Sequence, residues 1–524
     1  MSKNNFSTKN NRLNIDNLTF RRQYFISNTI VNIFPTWSCT QITSNSFLYT
    51  HPDLEISTFN IKSSTICVVG YCFYPSEGIH DNASTIASLV GTSETSDALI
   101  KSFSKACGRY VVFVKNQKEY CAFADPVSLR TVYYNKDHTS IVTVASDINI
   151  FKHISPQTVT KELRTDAVNF YKHEFKLNGD GNAWIGDETI YNNIYKLLPN
   201  TILDINRLNM SRYWPKKPIE NNSTEYVADK AAEYLKAVLK QAKSRQKLSI
   251  AITAGYDSRI MVAATYHFKD SIQYFIDKHE YMGVTHPDIV ISQSIAKKLN
   301  LNFTVNNQTF SSSHVPLTFK NIYYNNTFYA GEKRLSTVYF YYNKYNTYLN
   351  VCGVGEIGRT RFGQDRFPVS PERLSYKYGY INSPYATKAV SKWYANVKII
   401  CKNMNLNPFT LFYWENDLGN WGSVGNCESD IAIEEFNPFN SHYLLELLLS
   451  APNADTKCTE NKVFDLIIEK LCPQIADIPI NPGFTLAGKI KKELKKEPVF
   501  TILDYFLYIF KTNLAHVKKI LNMS

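Results

Sequence analysis

Through the first half of the chain, apolar runs of strand length alternate with short polar breaks. They cover residues 66–74, 108–114, 120–124, 131–134 and 141–145, and two further pieces lie at 195–203 and 211–215. The polar turn at Asn116, Gln117 and Lys118 separates the second run from the third and predicts a hairpin. After a polar, proline-containing stretch at 214–222 that reads as a linker, the period changes. Ser223 or Thr224 is set to cap a helix in which Ala228, Ala231, Ala232, Leu235, Val238 and Leu239 recur at helical spacing. Apolar strand runs at 248–252, 272–276, 302–305 and 348–352 then alternate with helical patterns. One of these opens at Thr285, His286, Pro287 and Asp288, with a hydroxyl cap, proline at the first helical position and an acid in the first turn. The expected fold class is α/β: a β-rich half, then a parallel sheet that binds ligand at the carboxyl ends of its strands. A helical portion is added to that second half. Predicted limits are 1–214, 215–488 and a basic helical tail at 489–524.

The most informative break lies where the run 248–252 stops at Thr253, Ala254, Gly255, Tyr256, Asp257 and Ser258 and a helical pattern follows at once. A strand turning through small residues into a helix aims free backbone N–H groups outward and suits an anion such as a phosphate. Gly255 permits close approach, Thr253 and Ser258 offer hydroxyl donors, and Asp257 offers a carboxylate to a divalent cation. The bland alternative is a helix cap in which Asp257 serves only the helix dipole.

This turn resembles the Ser-Gly-Gly-x-Asp-Ser pyrophosphate loop of the asparagine synthetase-like ATP pyrophosphatases, with Thr253 for the serine and Ala254 for the first glycine. The resemblance implies ATP and Mg²⁺ as cofactors, with adenine held by backbone near Ile252 and Ile276. It extends to Cys352, Gly353, Val354, Gly355, Glu356, Ile357, Gly358 and Arg359, where the family carries glycines against the nucleotide and an acid sharing the metal. On that pattern Gly353 and Gly355 give close approach, Asp257 and Glu356 hold the metal, and Arg359 meets a phosphate or the carboxylate substrate. Two departures stand out. The acid between the two glycines, the family's base, is replaced by Val354 or Gly353, and residues 478–484 lack the family's phosphate-steadying lysine, with Lys489 and Lys491 following.

The first half is similar to the glutamine amidotransferase domain of that family, an Ntn-hydrolase-like sandwich. The similarity rests on Gly108, Arg109 and Tyr110, on Ala124, Asp125 and Pro126, on Leu129 and Arg130, on Val132, Tyr133 and Tyr134, and on Ala145, Ser146 and Asp147. The family's N-terminal cysteine nucleophile is missing. Met1 is followed by Ser2, about sixty residues precede the first matching strand, and Cys67 and Cys72 lie inside apolar runs. The resemblance therefore implies an ATP-dependent amide-forming ligase without its own glutaminase. It would adenylate a small-molecule, peptide or sugar carboxylate and pass the acyl group to ammonia or an amine. The alternative is a catalytically lapsed scaffold that binds nucleotide or a partner.

Composition narrows the rest. The 524 residues allow two or three domains with ample core. The net charge of +12 suits phosphate-bearing ligands, but no Lys/Arg block is long enough to argue for nucleic acid. The ten cysteines form no Cys-x-x-Cys pair, and neither a signal-peptide pattern nor a run of about 20 apolar residues occurs, so a cytoplasmic location is expected. The aromatic runs at 323–329 and 339–343 read as core, and Glu415 and Glu434 as candidates for the acceptor pocket or for surface and capping roles. His286 and His442 lack metal-ligand spacing. In the tail, lysines flank the aromatic stretch 500–510; a closing helix pair with a solvated basic face is expected, with weak membrane-surface contact as the alternative. A homodimer is compatible with all of this.

Overall fold

The computed structural model describes residues 17–75, 78, 81–159, 163–175, 184–307, 312–326, 332–358, 367–457, 460–482, 490 and 499–521. Within them the chain is a mixed α/β protein with two antiparallel sheets and one parallel sheet. The strands are β1 (Tyr24–Ser27), β2 (Ser38–Thr43), β3 (Ser46–Thr50), β4 (Ile56–Ile61), β5 (Ser64–Phe73), β6 (Cys107–Lys115), β7 (Tyr120–Ala124), β8 (Tyr133–Asn135) and β9 (Val142–Ala145). They continue with β10 (Ile194–Lys196), β11 (Thr201–Asp204), β12 (Asn209–Arg212), β13 (Lys247–Ala251), β14 (Ile272–Asp277), β15 (Phe303–Asn306), β16 (Tyr348–Val351) and β17 (Glu434–Phe436).

The antiparallel sheets run β10-β8-β9-β1-β3-β2 and β12-β11-β7-β6-β5-β4. They face each other across a core that includes Tyr24, Ile26 and Leu48 from one sheet and Cys67, Val69, Val111 and Phe113 from the other. The alternate residues Ile66, Val68 and Val112 point the other way and pack with Ile86, Leu89 and Leu99 of two covering helices, Asn82–Val90 and Ser96–Ser102. Burial on both faces explains why these strands read as continuous apolar runs. The hairpin between β6 and β7 turns where predicted, with the Asn116 amide donating to the Glu119 carbonyl at 2.9 Å. The sandwich begins earlier than the sequence reading placed it: β1 at Tyr24 pairs with both β3 and β9, so the start of the matching strands near residue 66 is corrected to residue 24. The early strands escaped because β1 is four residues long and β2 and β4 are largely polar or exposed.

The parallel sheet runs β15-β14-β13-β16-β17. Its central strand β13 pairs with β14 (Ile250 opposite Tyr274) and with β16 (Ile250 opposite Val351). Sequence order runs outward on one side through β14 and β15 and returns on the other through β16 and β17. The carboxyl ends of β13 and β16 therefore flank the topological switch point, where open α/β sheets form their ligand crevice. The helix Thr224–Arg245, capped by Ser223, packs its Ala228, Ala231, Leu235 and Val238 face into the core beneath this sheet, together with Tyr71 and Phe73 of β5.

A buried ionic cluster joins the sandwich to the parallel sheet. Both Nη atoms of Arg109 on β6 donate to the Asp430 carboxylate at 2.8 and 2.9 Å, Arg130 reaches Asp430 and Glu434 at 3.3 Å each, and Arg245 reaches Glu434 at 3.0 Å. Gln23 donates to the same Asp430 carboxylate at 3.1 Å, and Arg22 to the Asp430 carbonyl at 2.6 Å. Glu434 thus stands in this cluster, and the acceptor-pocket reading is corrected. Glu415 is corrected likewise: it is fully buried and accepts from Arg212, from Asn200 at 2.9 Å and from the Trp393 indole at 2.8 Å.

Residues 491–498, where the other member of the expected pair would fall, lie outside the described residues; the described part of the tail includes the helix Val499–Leu521. It docks on residues 367–382 through a Lys377–Asp504 ion pair, stacked rings of Phe367 and Tyr505 at 4.0 Å, and Tyr376 against Tyr508 at 5.2 Å. Its outward side is apolar where a solvated basic face was expected. Among the described residues no helix is long and apolar enough to cross a membrane.

Candidate functional site

Beyond β13 the chain keeps its strand direction for one residue, since the Ile252 amide donates to the Phe275 carbonyl at 2.8 Å. That N–H therefore belongs to the sheet. Residues 253–255 then turn, and the helix Tyr256–Thr265 starts with Gly255 at its cap in an extended conformation. The turn is braced from within. The Thr253 amide donates to the Ser258 hydroxyl at 3.0 Å, the two hydroxyls lie 2.9 Å apart, and the Gly255 amide reaches the Thr253 hydroxyl at 3.3 Å. Thr253, Gly255, Asp257 and Ser258 are half-buried, whereas Ala254 and Tyr256 are buried. Tyr256 anchors the turn from beneath, where its hydroxyl accepts from the Asn461 amide at 3.1 Å.

The glycine segment that follows β16 packs directly on the first turn of this helix. The Gly355 amide lies 3.3 Å from the Asp257 carboxylate. A methyl group at Gly353 would meet the Asp257 carbonyl at 2.9 Å, and one at Gly355 would meet its carboxylate at 2.8 Å and the Phe439 and Phe464 rings at 3.1 Å. At Gly353 the limit is backbone against backbone, whereas at Gly355 it is set by the Asp257 carboxylate and two phenyl rings. Glu356 follows Gly355 directly and is half-buried. Thr253, Ala254, Gly255, Asp257, Ser258, Gly353, Gly355 and Glu356 are therefore gathered at the switch point, and Ile252 enters it from the sheet. Arg359, Phe484, Lys489 and Lys491 lie outside the described residues.

Three residues that the motif comparison passed over also shape this place. Asp288 sends a carboxylate oxygen to the Ala254 amide at 2.8 Å, so a loop N–H is held by the protein's own anion. Asp288 stands in the first turn of the helix Pro287–Leu299. The hydroxyl cap expected from Thr285 is corrected to His286, whose Nδ1 accepts the Asp288 amide at 3.3 Å. Asn481 donates its amide to the Ala254 carbonyl at 2.9 Å. Buried Arg259 fastens the same strap, donating to the carbonyls of Ile478 and Pro479, the latter at 3.1 Å. Burial of this guanidinium, only partly offset by Tyr256 and Asp465, lowers its pKa to about 10. The segment where the family lysine was sought thus does lie on the turn, but among its described residues it brings Asn481.

Of the two isolated histidines, His286 reaches this place only as the cap beneath Asp288, and His442 lies elsewhere. His442 is buried with its Nε2 3.0 Å from Asn200 Oδ1, and burial pushes its pKa down to about 3. Among the described residues no three His, Cys, Asp or Glu side chains gather as a self-sufficient metal site. Asp257 and Glu356 bring two carboxylates to adjoining segments at the switch point. That suits Mg²⁺, which commonly takes one or two protein carboxylates and completes its shell with water and substrate phosphate.

No protein-family model matches the chain, and no curated protein matches it. Solved structures that align include an allosteric regulatory enzyme of purine biosynthesis, with 12% identity over 52% of this chain and a TM-score of 0.22. This chain spans 64% of that one's length. Others are a glutamine phosphoribosylpyrophosphate amidotransferase from B. subtilis (10% identity, 58% of this chain and 88% of that one, TM-score 0.23) and an NH3-dependent NAD synthetase from Campylobacter jejuni (11%, 37% and 92%, TM-score 0.20). Likenesses this loose carry no argument about fold or chemistry, which rest on the residues themselves.

Proposed function

We propose that the switch-point turn is the ATP site of an asparagine synthetase-like carbon–nitrogen ligase. The observation that carries this reading is the seating of Gly353 and Gly355 on Asp257 at the carboxyl ends of two neighbouring parallel strands. On this reading a ligand crevice would lie above that contact, edged by Asp257 and Glu356. The amides and hydroxyls of residues 253–258 would cradle the β- and γ-phosphates, and Asp257 with Glu356 would hold Mg²⁺ against them. Bound there, the ion would neutralise phosphate charge. A substrate carboxylate oxygen attacks the α-phosphorus and pyrophosphate leaves; an amine or ammonia then attacks the acyl carbon and AMP leaves. In this proposal residues 1–214 form an Ntn-hydrolase-like sandwich without a working nucleophile, residues 215–488 the adenine-nucleotide α-hydrolase-like unit, and residues 489–524 an appendage. Cys67 and Cys72 are buried within β5, and burial raises both thiols, Cys67 to about 11, so neither supplies a thiolate.

The test is ATP–pyrophosphate exchange against a panel of carboxylates. Asp257→Asn is expected to lower exchange by about 100-fold or more. Equal rates for the two proteins would end the proposal.

A second reading has its own support: Val354 stands where the family has its base, and Asp288 already occupies the Ala254 amide. On this reading the protein binds nucleotide, or only a partner, without adenylation. Saturable MgATP binding with no exchange on any carboxylate would select it.

A further inference from the structure

We propose that the helix Val499–Leu521 is a docking element for an anionic lipid surface, lying in the plane of the membrane. Its large apolar side chains are exposed to a degree unusual for a packed helix: Phe506 is 64% exposed and Phe510 63%, with Ile502, Leu503, Leu507 and Leu514 between 42% and 48%. At 3.6 residues per turn these six positions fall within an arc of about 140°. The opposite face is used, since Asp504, Tyr505 and Tyr508 pack against residues 367–382 and Asn382 donates to the Thr512 carbonyl at 3.3 Å. The helix is therefore held by one side and presents a continuous convex apolar stripe on the other. Such a stripe, about 18 Å long at 1.5 Å per residue, is not a groove that could receive a peptide.

Charge selects the occupant. Asp504 is the one acid within residues 499–521, and it is turned inward on Lys377. Lys511 is exposed at the edge of the apolar arc with its ammonium 5.8 Å from the Tyr376 ring; in the sequence Lys518 follows at seven-residue spacing and Lys519 comes next. The preceding stretch 489–496 holds five lysines and one glutamate. A second copy of this chain would bring the lysines that border the arc toward their own copies, whereas anionic headgroups complement them. Phenylalanines and leucines bordered by lysines are the composition of interfacial helices, which enter the headgroup boundary without crossing it.

Flotation of the full-length protein with vesicles rich in phosphatidylglycerol, beside vesicles of pure phosphatidylcholine, tests this. Expected is recovery with the anionic vesicles, falling as salt is raised. Phe506→Ser with Phe510→Ser should weaken it by about 100-fold, and Lys518→Glu with Lys519→Glu by about tenfold or more. An unchanged circular dichroism spectrum and thermal midpoint show that the variants remain folded. The proposal is overturned if both lipid compositions bind alike at all salt concentrations, if neither binds, or if the double serine variant binds unchanged. It is also overturned if light scattering finds a dimer that the serine variant abolishes, which would assign the face to a second copy.

Discussion

The ionic cluster at the joint makes a quantitative prediction. Asp430 has no side-chain exposure, nor have Arg109 and Arg130, and its carboxylate accepts from both guanidiniums and from Gln23. Three guanidiniums, of Arg109, Arg130 and Arg245, meet two buried carboxylates there, with Arg22 on the Asp430 backbone carbonyl and Glu55 adding a third carboxylate at the rim beside Arg245. The cluster is already rich in positive charge, so removing one anion leaves cations that cannot reach water. Asp430→Asn keeps the shape and one acceptor oxygen while deleting the charge. Breaking a buried pair costs about 3–5 kcal/mol, and this carboxylate serves two guanidiniums, which points to the upper part of that range.

Urea unfolding followed by tryptophan fluorescence reads the loss. Trp414 is fully buried in the core where helices of the second half meet Val127 and Leu129 of the first, so it reports separation of the two halves. The expected result is a lower midpoint, with the single transition dividing in two as the sandwich parts from the parallel sheet. Lys62→Ala, which removes an exposed pair with Glu94, serves as the control and should leave the midpoint unmoved. A loss below about 1 kcal/mol for Asp430→Asn, the scale of a surface ion pair, would refute the argument that this cluster holds the joint.

The remaining predictions concern pH and the site. Burial tends to raise the pKa of Glu434, but Arg245, Arg22, Arg130 and Arg109 outweigh it and bring it from the ordinary 4.5 to about 2. Its stabilisation, about 3 kcal/mol, is fully present above pH 4.5 and fades as pH falls toward 2; Glu434→Gln should flatten the acid limb of a stability–pH curve. Gly355→Ala forces a methyl onto the Asp257 carboxylate and two phenyl rings, an overpacking cost of about 1–3 kcal/mol, and should weaken ATP binding in calorimetry about tenfold. Gly283→Ala, with nothing within 4 Å of the added carbon, should not change it. Asp288→Asn keeps an acceptor for the Ala254 amide but removes a negative charge beside an incoming polyanion, so pyrophosphate should bind about fivefold tighter; weaker binding would show that the charge itself organises the turn.

How much of this was legible in the sequence depends on range. The strands β5, β6, β7, β13, β14 and β16 announce themselves, because burial on both faces makes them predominantly apolar, with only isolated polar residues such as Ser249, Gln273 and Asn350. Gly353, Gly355 and Asp257 are equally visible, since a side chain at either glycine would press on Asp257. The misreadings fall on residues whose surroundings come from distant parts of the chain. Glu415 and Glu434 look like ordinary surface acids until Arg212, some two hundred positions away, and Arg130, some three hundred away, close over them. The tail misled differently: its lysines implied a solvated basic face, yet among the described residues the outward side of Val499–Leu521 is mostly apolar while Tyr505 and Tyr508 pack inward.

Asp288 shows why a motif is an incomplete description of a site. In the sequence it is an acid in the first turn of a helix, and the helix dipole explains it fully. That explanation is local and correct, and it hides a second role that only sheet topology creates. Parallel pairing of β13 with β14 brings the carboxyl ends of both strands to one level, so the turn after β13 and the helix that follows β14 start side by side. The Ala254 amide then faces the Asp288 carboxylate. Asn481 arrives at the same turn from more than two hundred residues away, held by Arg259 carried on the helix the turn begins. A ligand entering this crevice therefore meets a turn braced on three sides, with an internal anion where its own phosphate would be drawn. The balance between that anion and a bound metal ion, more than the letter of the motif, decides whether the turn works as a phosphate site.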